Sequence, residues 1–173
     1  VVICPQQICT KCYFCKKSYP NFCDTNRPNL DSTLGFGFDG GLAQYVRCHS
    51  SQCFRFDAAK LPVQLSAIVE PLWCVLHGFN KFLSLKKYNN DDLRDNILIF
   101  GFGIIGYLWS LLFYDYGFRN IYVIERSAKR QNIAEQCMHI KGVLRYDEYE
   151  QDKIVFSDAS PKLFDVAIDC AGE

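Results

Sequence analysis

The spacing of apolar positions changes near residue 96. Over residues 62–82, Leu65, Ile68, Val69, Leu72, Val75, Leu76 and Phe79 recur at helical intervals and predict one helix. Ser66 is placed to cap it, and Pro71 falls close enough to its start to be tolerated. The polar run 86–96 reads as a surface linker. Beyond it, residues 97–100 and 121–124 are short, wholly apolar runs that predict buried strands, and residues 104–116 predict a helix between them. A further helix is expected over 127–139, on Ile133, Ala134, Cys137 and Met138, and a further strand over 164–170. Strands alternating with helices of this length mean an α/β fold, with a parallel sheet and right-handed crossovers.

Residues 1–60 show no such order. Between 20 and 41 stand Pro20, Asn21, Asn26, Pro28, Asn29, Gly35, Gly37, Gly40 and Gly41, all turn or breaker types. A segment of this kind needs a clamp other than an apolar core. Residues 41–46 read as a short strand entered through glycine. The boundary between the two regions falls between 82 and 97, giving domains 1–82 and 83–173.

Composition narrows the class. With 173 residues, 49% of them hydrophobic, the chain has room for one full domain or two small or incomplete ones, and its composition argues against disorder. Nineteen basic residues balance nineteen acidic ones, which argues against a dedicated nucleic-acid binder. Residues 97–113 carry no charge, so a membrane span has to be weighed. Gly101, Gly103 and Gly106 in its first half favour a buried strand, a glycine turn and a buried helix instead.

Ten cysteines bear on compartment. Cys4, Cys48, Cys53, Cys74, Cys137 and Cys170 are scattered, unlike the framework of a small secreted scaffold, and no signal peptide precedes the others. A cytoplasmic protein is expected. The start at Val1, within an apolar stretch, suggests a piece of a longer one.

The remaining four, Cys9, Cys12, Cys15 and Cys23, are crowded at metal-ligand spacing. Thiolates on a tight loop can meet one tetrahedral ion at about 2.3 Å, and four sulfurs close its shell, so such a site is structural. Zinc fits this set best. An iron–sulfur cluster, or uncoordinated or disulfide-bonded thiols, are the alternatives.

Gly101-Phe-Gly103-Ile104-Ile105-Gly106 follows an expected strand and opens an expected helix. In that setting the first glycine permits the turn, the second lets a pyrophosphate approach, and the third lets helix and strand pack closely. Glu125 ends the next strand about 20 residues on, where a carboxylate accepts hydrogen bonds from a ribose and repels a 2′-phosphate. NAD is therefore expected over NADP, although Arg126 and Arg130 could receive a phosphate. The plainer readings are a solvated strand end for Glu125 and a helix-surface charge for Arg130.

Taken in order, these features resemble the zinc-containing medium-chain alcohol dehydrogenases, and most their polyol branch of sorbitol and threonine dehydrogenase type. Cys9, Cys12, Cys15 and Cys23 match that family's structural zinc lobe, and residues 40–46 resemble the strand that follows it. Glu70-Pro71-Leu72 followed by His77 resembles the helix start of polyol members. Gly101, Gly103 and Gly106 match the nucleotide fingerprint, Glu125 and Arg130 fall where members contact the cofactor, and residues 165–172 resemble a strand flanking it. Thr10 and Ser18 replace glycines common in the lobe, and Phe102 and Trp109 are bulkier than usual near the fingerprint.

The resemblance implies part of a GroES-like β domain with a zinc lobe, followed by the first part of a Rossmann-type domain, both incomplete. It implies a zinc-dependent, NAD-linked oxidoreductase moving hydride between a polyol or secondary alcohol and the nicotinamide. Its partners would be a small-molecule alcohol and further copies of itself, with no nucleic acid and no membrane. The family's catalytic zinc takes ligands from sequence upstream of the lobe, so this segment alone is expected to be inactive. Glu70 is the one residue here placed near that metal, as a direct or water-mediated ligand or a substrate contact; otherwise it is a carboxylate stabilising the first turn of a helix. His77 is expected as a packed core histidine. A non-catalytic zinc- and nucleotide-binding protein on the same fold is the other reading, and a zinc-free, quinone-reductase-like enzyme is disfavoured by the four-cysteine lobe.

Overall fold

The computed structural model describes residues 1–26, 32–86, 92–146, 154–155 and 164–172. Pro28, Asn29, Asp91 and the linker positions 87–91 lie outside these residues. The chain divides into two compact units, Val1–Glu70 and Pro71–Glu173.

The first unit has little regular structure. Strand β1 (Val2–Ile3) pairs antiparallel with β2 (Cys53–Phe54), and the one-turn helix α1 (Tyr13–Lys16) sits among short 3₁₀ turns. Among the described residues, Cys23 is the single buried apolar side chain of this unit; the other buried ones are the polar Thr33 and Gln52. Residues 41–46 do not form the expected strand. Residues 41–44 run as bends, with Leu42 and Tyr45 almost fully exposed, and no described strand pairs with them.

Two residues of this unit hold left-handed backbone conformations without being glycine: Thr10 (φ 59°) and Ser18 (φ 63°). A Cβ there meets the following carbonyl and costs about 1–2 kcal/mol. Both are positions at which the resemblance called for glycine.

The helix expected over 62–82 is two elements. A 3₁₀ helix, Val63–Ile68, precedes α2 (Val69–Lys86). Ser66 is not a cap: its hydroxyl donates to the Val63 carbonyl at 2.6 Å, inside the 3₁₀ turn. Pro71 then falls in the first turn of α2, where its missing N–H costs nothing. Val75 and Phe79 are the buried face, whereas Leu65 and Leu76 are exposed. His77 also lies on the exposed face, which corrects the expectation of a core histidine: it stands two positions after Val75, about 200° around the helix.

The second unit is built on a five-stranded sheet in the order β6-β5-β4-β3-β7. Strands β3 (Asn96–Phe100), β4 (Asn120–Glu125), β5 (Gly142–Tyr146) and β7 (Val166–Asp169) are parallel, and the short β6 (Ile154–Val155) is antiparallel to β5. Helix α3 (Ile104–Tyr116) links β3 to β4, and α4 (Ala128–Glu135) links β4 to β5. The uncharged stretch 97–113 is thus a buried strand, a glycine turn and a helix. No described helix is long and apolar enough to cross a membrane.

Both faces of β3 and β4 are covered, which is why their sequences are continuous apolar runs rather than alternating ones. Ile97, Ile99, Ile121 and Val123 pack on one face with Phe79, Phe102, Phe113 and Phe118; Leu98, Tyr122, Ile124 and Leu144 form a second cluster on the other. The first cluster is largely aromatic. Phe113 is fully buried, meets Phe79, Phe82 and Phe118 edge-on at 5.3 Å, and stacks on Trp109. Helix α3 stops at Gly117 (φ 125°), from which Phe118 N–H returns to the Phe113 carbonyl at 3.0 Å.

Helix α4 ends earlier than expected, and only part of the expected apolar set faces the core, with Ala134 in the buried cluster and Cys137 packed against it. Ala134 is buried, but Ile133 is exposed and Met138 is 98% exposed. After Glu135 the N–H groups of Gln136, Cys137 and Ile140 bond three residues back, and Lys141 N–H reaches the Ile121 carbonyl, turning the chain into β5. Strand β5 was not legible in the sequence, since Gly142 and Arg145 break its apolar run.

Two predictions follow from packing and strain. Phe113→Ala should destabilise the second unit by about 3–5 kcal/mol, read by chemical denaturation, because it deletes the ring that four aromatic neighbours share. Thr10→Gly and Ser18→Gly should each stabilise the first unit by about 0.5–1 kcal/mol, the relieved strain less the added entropy of glycine. Thr10→Ala, which keeps the Cβ, should show no such gain in the same measurement.

Candidate metal and cofactor sites

The loop before α1, the helix itself and the turn after it bring Cys9, Cys12, Cys15 and Cys23 together. Their sulfurs all lie within 4.8 Å of one another, with Cys9 and Cys15 at 4.0 Å. Four sulfurs about 2.3 Å from a central tetrahedral ion would be about 3.8 Å apart, so the cluster needs only a small contraction to hold zinc. Backbone geometry supports charged sulfur: Cys12 N–H donates to Cys9 Sγ and Cys9 N–H to Cys23 Sγ, each at 3.3 Å. The Thr25 hydroxyl lies 3.0 Å from Cys23 Sγ.

The four thiols are not equivalent. Burial pushes Cys23 up, but the Cys9 N–H and then the Thr25 groups outweigh it and bring it down to about 6. Cys12 is lowered, chiefly by the Asp24 and Cys15 backbone N–H groups. Cys15 is pushed up to about 12 by burial and by the neighbouring thiols of Cys12 and Cys23. Thiols must lose their protons to ligate a cation, and the N–H groups aimed at Cys12 and Cys23 ease that loss.

The glycine turn lies at the carboxyl end of β3, the strand from which the sheet extends to β4 on one side and to β7 on the other. That is the place where open α/β sheets take ligands. Gly101 has φ +84°, and its N–H donates to the Ile124 carbonyl at 2.8 Å. A side chain there would press on the Cys170–Ala171 backbone, and a Cβ at Gly106 would collide with the Gly101 carbonyl. At Gly103 a Cβ would meet nothing within 4 Å. The first and third glycines are thus consumed by packing, and the second faces open space at the start of α3. No side chain caps this helix start. Ile104 is exposed beside it and Ile105 half-buried. Phe102 points the other way, into the aromatic cluster and edge-on to Tyr107, so it fills core and leaves the approach clear.

Glu125 sits at the end of β4, 5% exposed. Its Oε2 accepts the Phe102 N–H at 2.7 Å and its Oε1 the Ser127 N–H at 2.8 Å; the Gln131 amide donates to its carbonyl. Arg130 Nη1 stands 3.7 Å from Oε2, with the Arg130 side chain itself exposed. Burial raises the carboxyl, but the Ser127 and Phe102 N–H groups, then Arg130, outweigh it, so it ionises below the usual carboxylate range. The stability it contributes is present at neutral pH and lost as pH falls through that lowered value. That this acid also ties down the glycine turn was not legible in the sequence, because the link joins positions 23 apart through a backbone N–H.

Glu70 is exposed at the second residue of α2, apart in sequence from both clusters. Its position at a helix start is the plain observation.

Residues 1–58 match the family described as alcohol dehydrogenase GroES-like domain. The chain is 27% identical to sorbitol dehydrogenase of Bombyx mori, over 99% of its own length and 47% of that protein's. It is 30% identical to (R,R)-butanediol dehydrogenase of Bacillus subtilis, over 73% of its length and 34% of the relative's. Among solved structures, a zinc-binding dehydrogenase of Sinorhizobium meliloti bound to NADP is 27% identical, superposes with a TM-score of 0.73, and is matched over 99% of this chain and 47% of that one. The chain thus spans half or less of the relatives it matches. Residues 1–58 match the alcohol dehydrogenase GroES-like domain, and the chain as a whole, with a four-thiol cluster followed by a glycine turn on a parallel sheet, is similar to zinc-binding and polyol dehydrogenases.

Proposed function

We propose that the chain is part of a zinc-dependent, NAD-linked dehydrogenase acting on a polyol or secondary alcohol. The observation that carries this reading is the glycine turn. It offers an uncapped helix start and one open glycine beside a buried, ionised carboxylate. In this reading residues 1–82 are the GroES-like part and 83–173 the nucleotide-binding part. Gly103, Ile104 and Ile105 receive the pyrophosphate on backbone N–H groups at the start of α3, Gly101 and Gly106 shape the turn that presents them, Glu125 receives the adenosine ribose, and Arg130 flanks it. The nicotinamide, when bound, supplies the hydride acceptor and donor for the alcohol–carbonyl couple.

Cys9, Cys12, Cys15 and Cys23 hold a structural zinc in place of an apolar core. Glu70 is the residue of this chain proposed to reach the reacting centre, where an open-coordination metal would polarise the alcohol oxygen. The relatives named sorbitol and butanediol dehydrogenase support a small-molecule alcohol substrate. A cytoplasmic setting and assembly with further copies belong to the same proposal.

The test is the complete protein assayed for NAD reduction against polyols and secondary diols. Turnover that is lost when Glu70→Gln is introduced supports the reading. Bound zinc and bound NAD with no turnover on any alcohol would replace it with a non-catalytic binding protein.

Two narrower predictions belong here. Purified protein should carry zinc at the four thiols, and Cys12→Ser should lower the zinc content by about one ion per chain in elemental analysis. Zinc should be retained at neutral pH and released as pH falls, since protons compete for the sulfurs. For the cofactor, NAD should be preferred, and Glu125→Ser should weaken NAD and improve NADP in kcat/KM. A native preference for NADP would mean that Arg130 and Arg126 outweigh the acid.

A further inference from the structure

Outside the metal cluster, one pair of thiols is unusually close: Cys48 Sγ and Cys53 Sγ are 3.5 Å apart, and both residues are half-buried. They flank the 3₁₀ turn Ser50–Gln52. This turn is held at both ends. His49 caps it, accepting the Ser51 N–H on Nδ1 at 3.2 Å, while the Gln52 side chain accepts the His49 N–H at 3.0 Å. Gln52, buried, donates through Nε2 to the Cys4 carbonyl at 3.1 Å, and Cys4 N–H donates to the Gln52 carbonyl at 2.8 Å. Cys53 then opens β2, paired with Ile3. The two sulfurs are therefore held close by bonds that do not involve them.

A metal does not account for the pair. Among the described residues, the four lobe cysteines are the single group of three or more ligands within reach of one ion. The Nδ1 of the adjacent His49 is committed to the cap.

We infer that Cys48 and Cys53 are a redox modification site, forming a reversible disulfide under peroxide. Closing the bond needs the sulfurs to move from 3.5 Å to about 2.05 Å, a distance that side-chain rotation over one short turn can supply. One sulfur, as thiolate, attacks an oxygen of hydrogen peroxide. The O–O bond breaks, the departing oxygen leaves as water after taking a proton, and the sulfur becomes a sulfenic acid. The second sulfur attacks it; the S–S bond forms, the S–O bond breaks, and the released hydroxide takes the second thiol's proton to leave as water. Two electrons pass from the sulfurs to the peroxide, and the products are one disulfide and two waters.

Cys48, His49 and Gln52 line a cleft of about 740 Å³ within the first unit, together with Tyr45 and Arg47. Oxidant thus reaches the pair from the cleft. The disulfide ties the cleft-lining residue Cys48 to β2, so the modification stiffens that wall.

Arg47 and Arg55 bracket the pair, so trypsin releases both cysteines on one peptide, residues 48–55. The complete, zinc-loaded protein is treated with one equivalent of hydrogen peroxide, alkylated with N-ethylmaleimide, digested and weighed. The expected result is an unalkylated 48–55 peptide, two hydrogens lighter than the dithiol, that becomes doubly alkylated after dithiothreitol. Its formation should be at least about tenfold faster in the folded protein than in urea, and should precede alteration of the exposed Cys74. Cys53→Ser and, separately, Cys48→Ser should each abolish the mass loss, with circular dichroism confirming the fold. A doubly alkylated peptide while Cys74 is already oxidised would overturn the inference. So would equal rates in folded and unfolded chain, or a peptide that gains oxygen rather than losing hydrogen.

Discussion

Glu125 is a carboxylate almost without water, and where its two oxygens go arranges one end of the sheet. Each takes a backbone N–H from a different turn: Phe102 from the turn after β3, and Ser127 from the turn after β4. Parallel pairing of β3 with β4 sets those turns side by side, and the carboxylate bolts them together. Removing it would leave a buried N–H without a partner, at a cost of about 1–3 kcal/mol. The glycine turn keeps its shape through this bond and through the N–H of Gly101 on Ile124. An ionised carboxylate still has lone pairs to offer at its outer edge, so a structural clamp and a ribose acceptor are compatible uses of one group.

The two units solve the problem of staying folded by different means. The second buries continuous β-branched strands under an aromatic cluster, and its stability is a matter of area removed from water. The first has almost no apolar interior among its described residues, and a fully buried cysteine stands where a core leucine would be expected. Its order rests on turns, on Gln52 reaching back to Cys4 and Pro5, and on four sulfurs held close enough to share an ion. A cation would supply there what a core supplies elsewhere. Strained backbone at Thr10 and Ser18 is the local cost of bringing four ligands round one point.

Several features were legible in the sequence because each depends on neighbours in the chain. The cysteine spacing marks a thiol cluster, and the structure brings the four sulfurs together. The apolar runs at 97–100 and 121–124 name buried parallel strands, because only a sheet covered on both faces tolerates them. Gly101 and Gly106 mark a strand–helix turn, and the structure supplies the reasons: a positive φ in one case and a backbone collision in the other.

What tertiary structure decided involves partners distant in the chain. Residues 41–46 read as a short strand, yet a strand exists only where another offers its N–H and C=O groups, and none of the described ones does. Strand β5 forms despite Gly142 and Arg145, because β4 presents a parallel edge to it. Ile133, Met138 and His77 have helical spacing but face outward, since periodicity marks a stripe and only packing selects the stripe that is covered. The link from Glu125 to Phe102 and the approach of Cys48 to Cys53 carry no local signature either. By itself, the sequence determined the strands at 97–100 and 121–124, the helix between them and the crowding of four thiols, because those follow from short-range sterics and apolar period. Which face is buried, which carboxylate clamps which turn and which thiols meet were decided by the fold, because those are contacts between groups that only it brings within hydrogen-bonding distance.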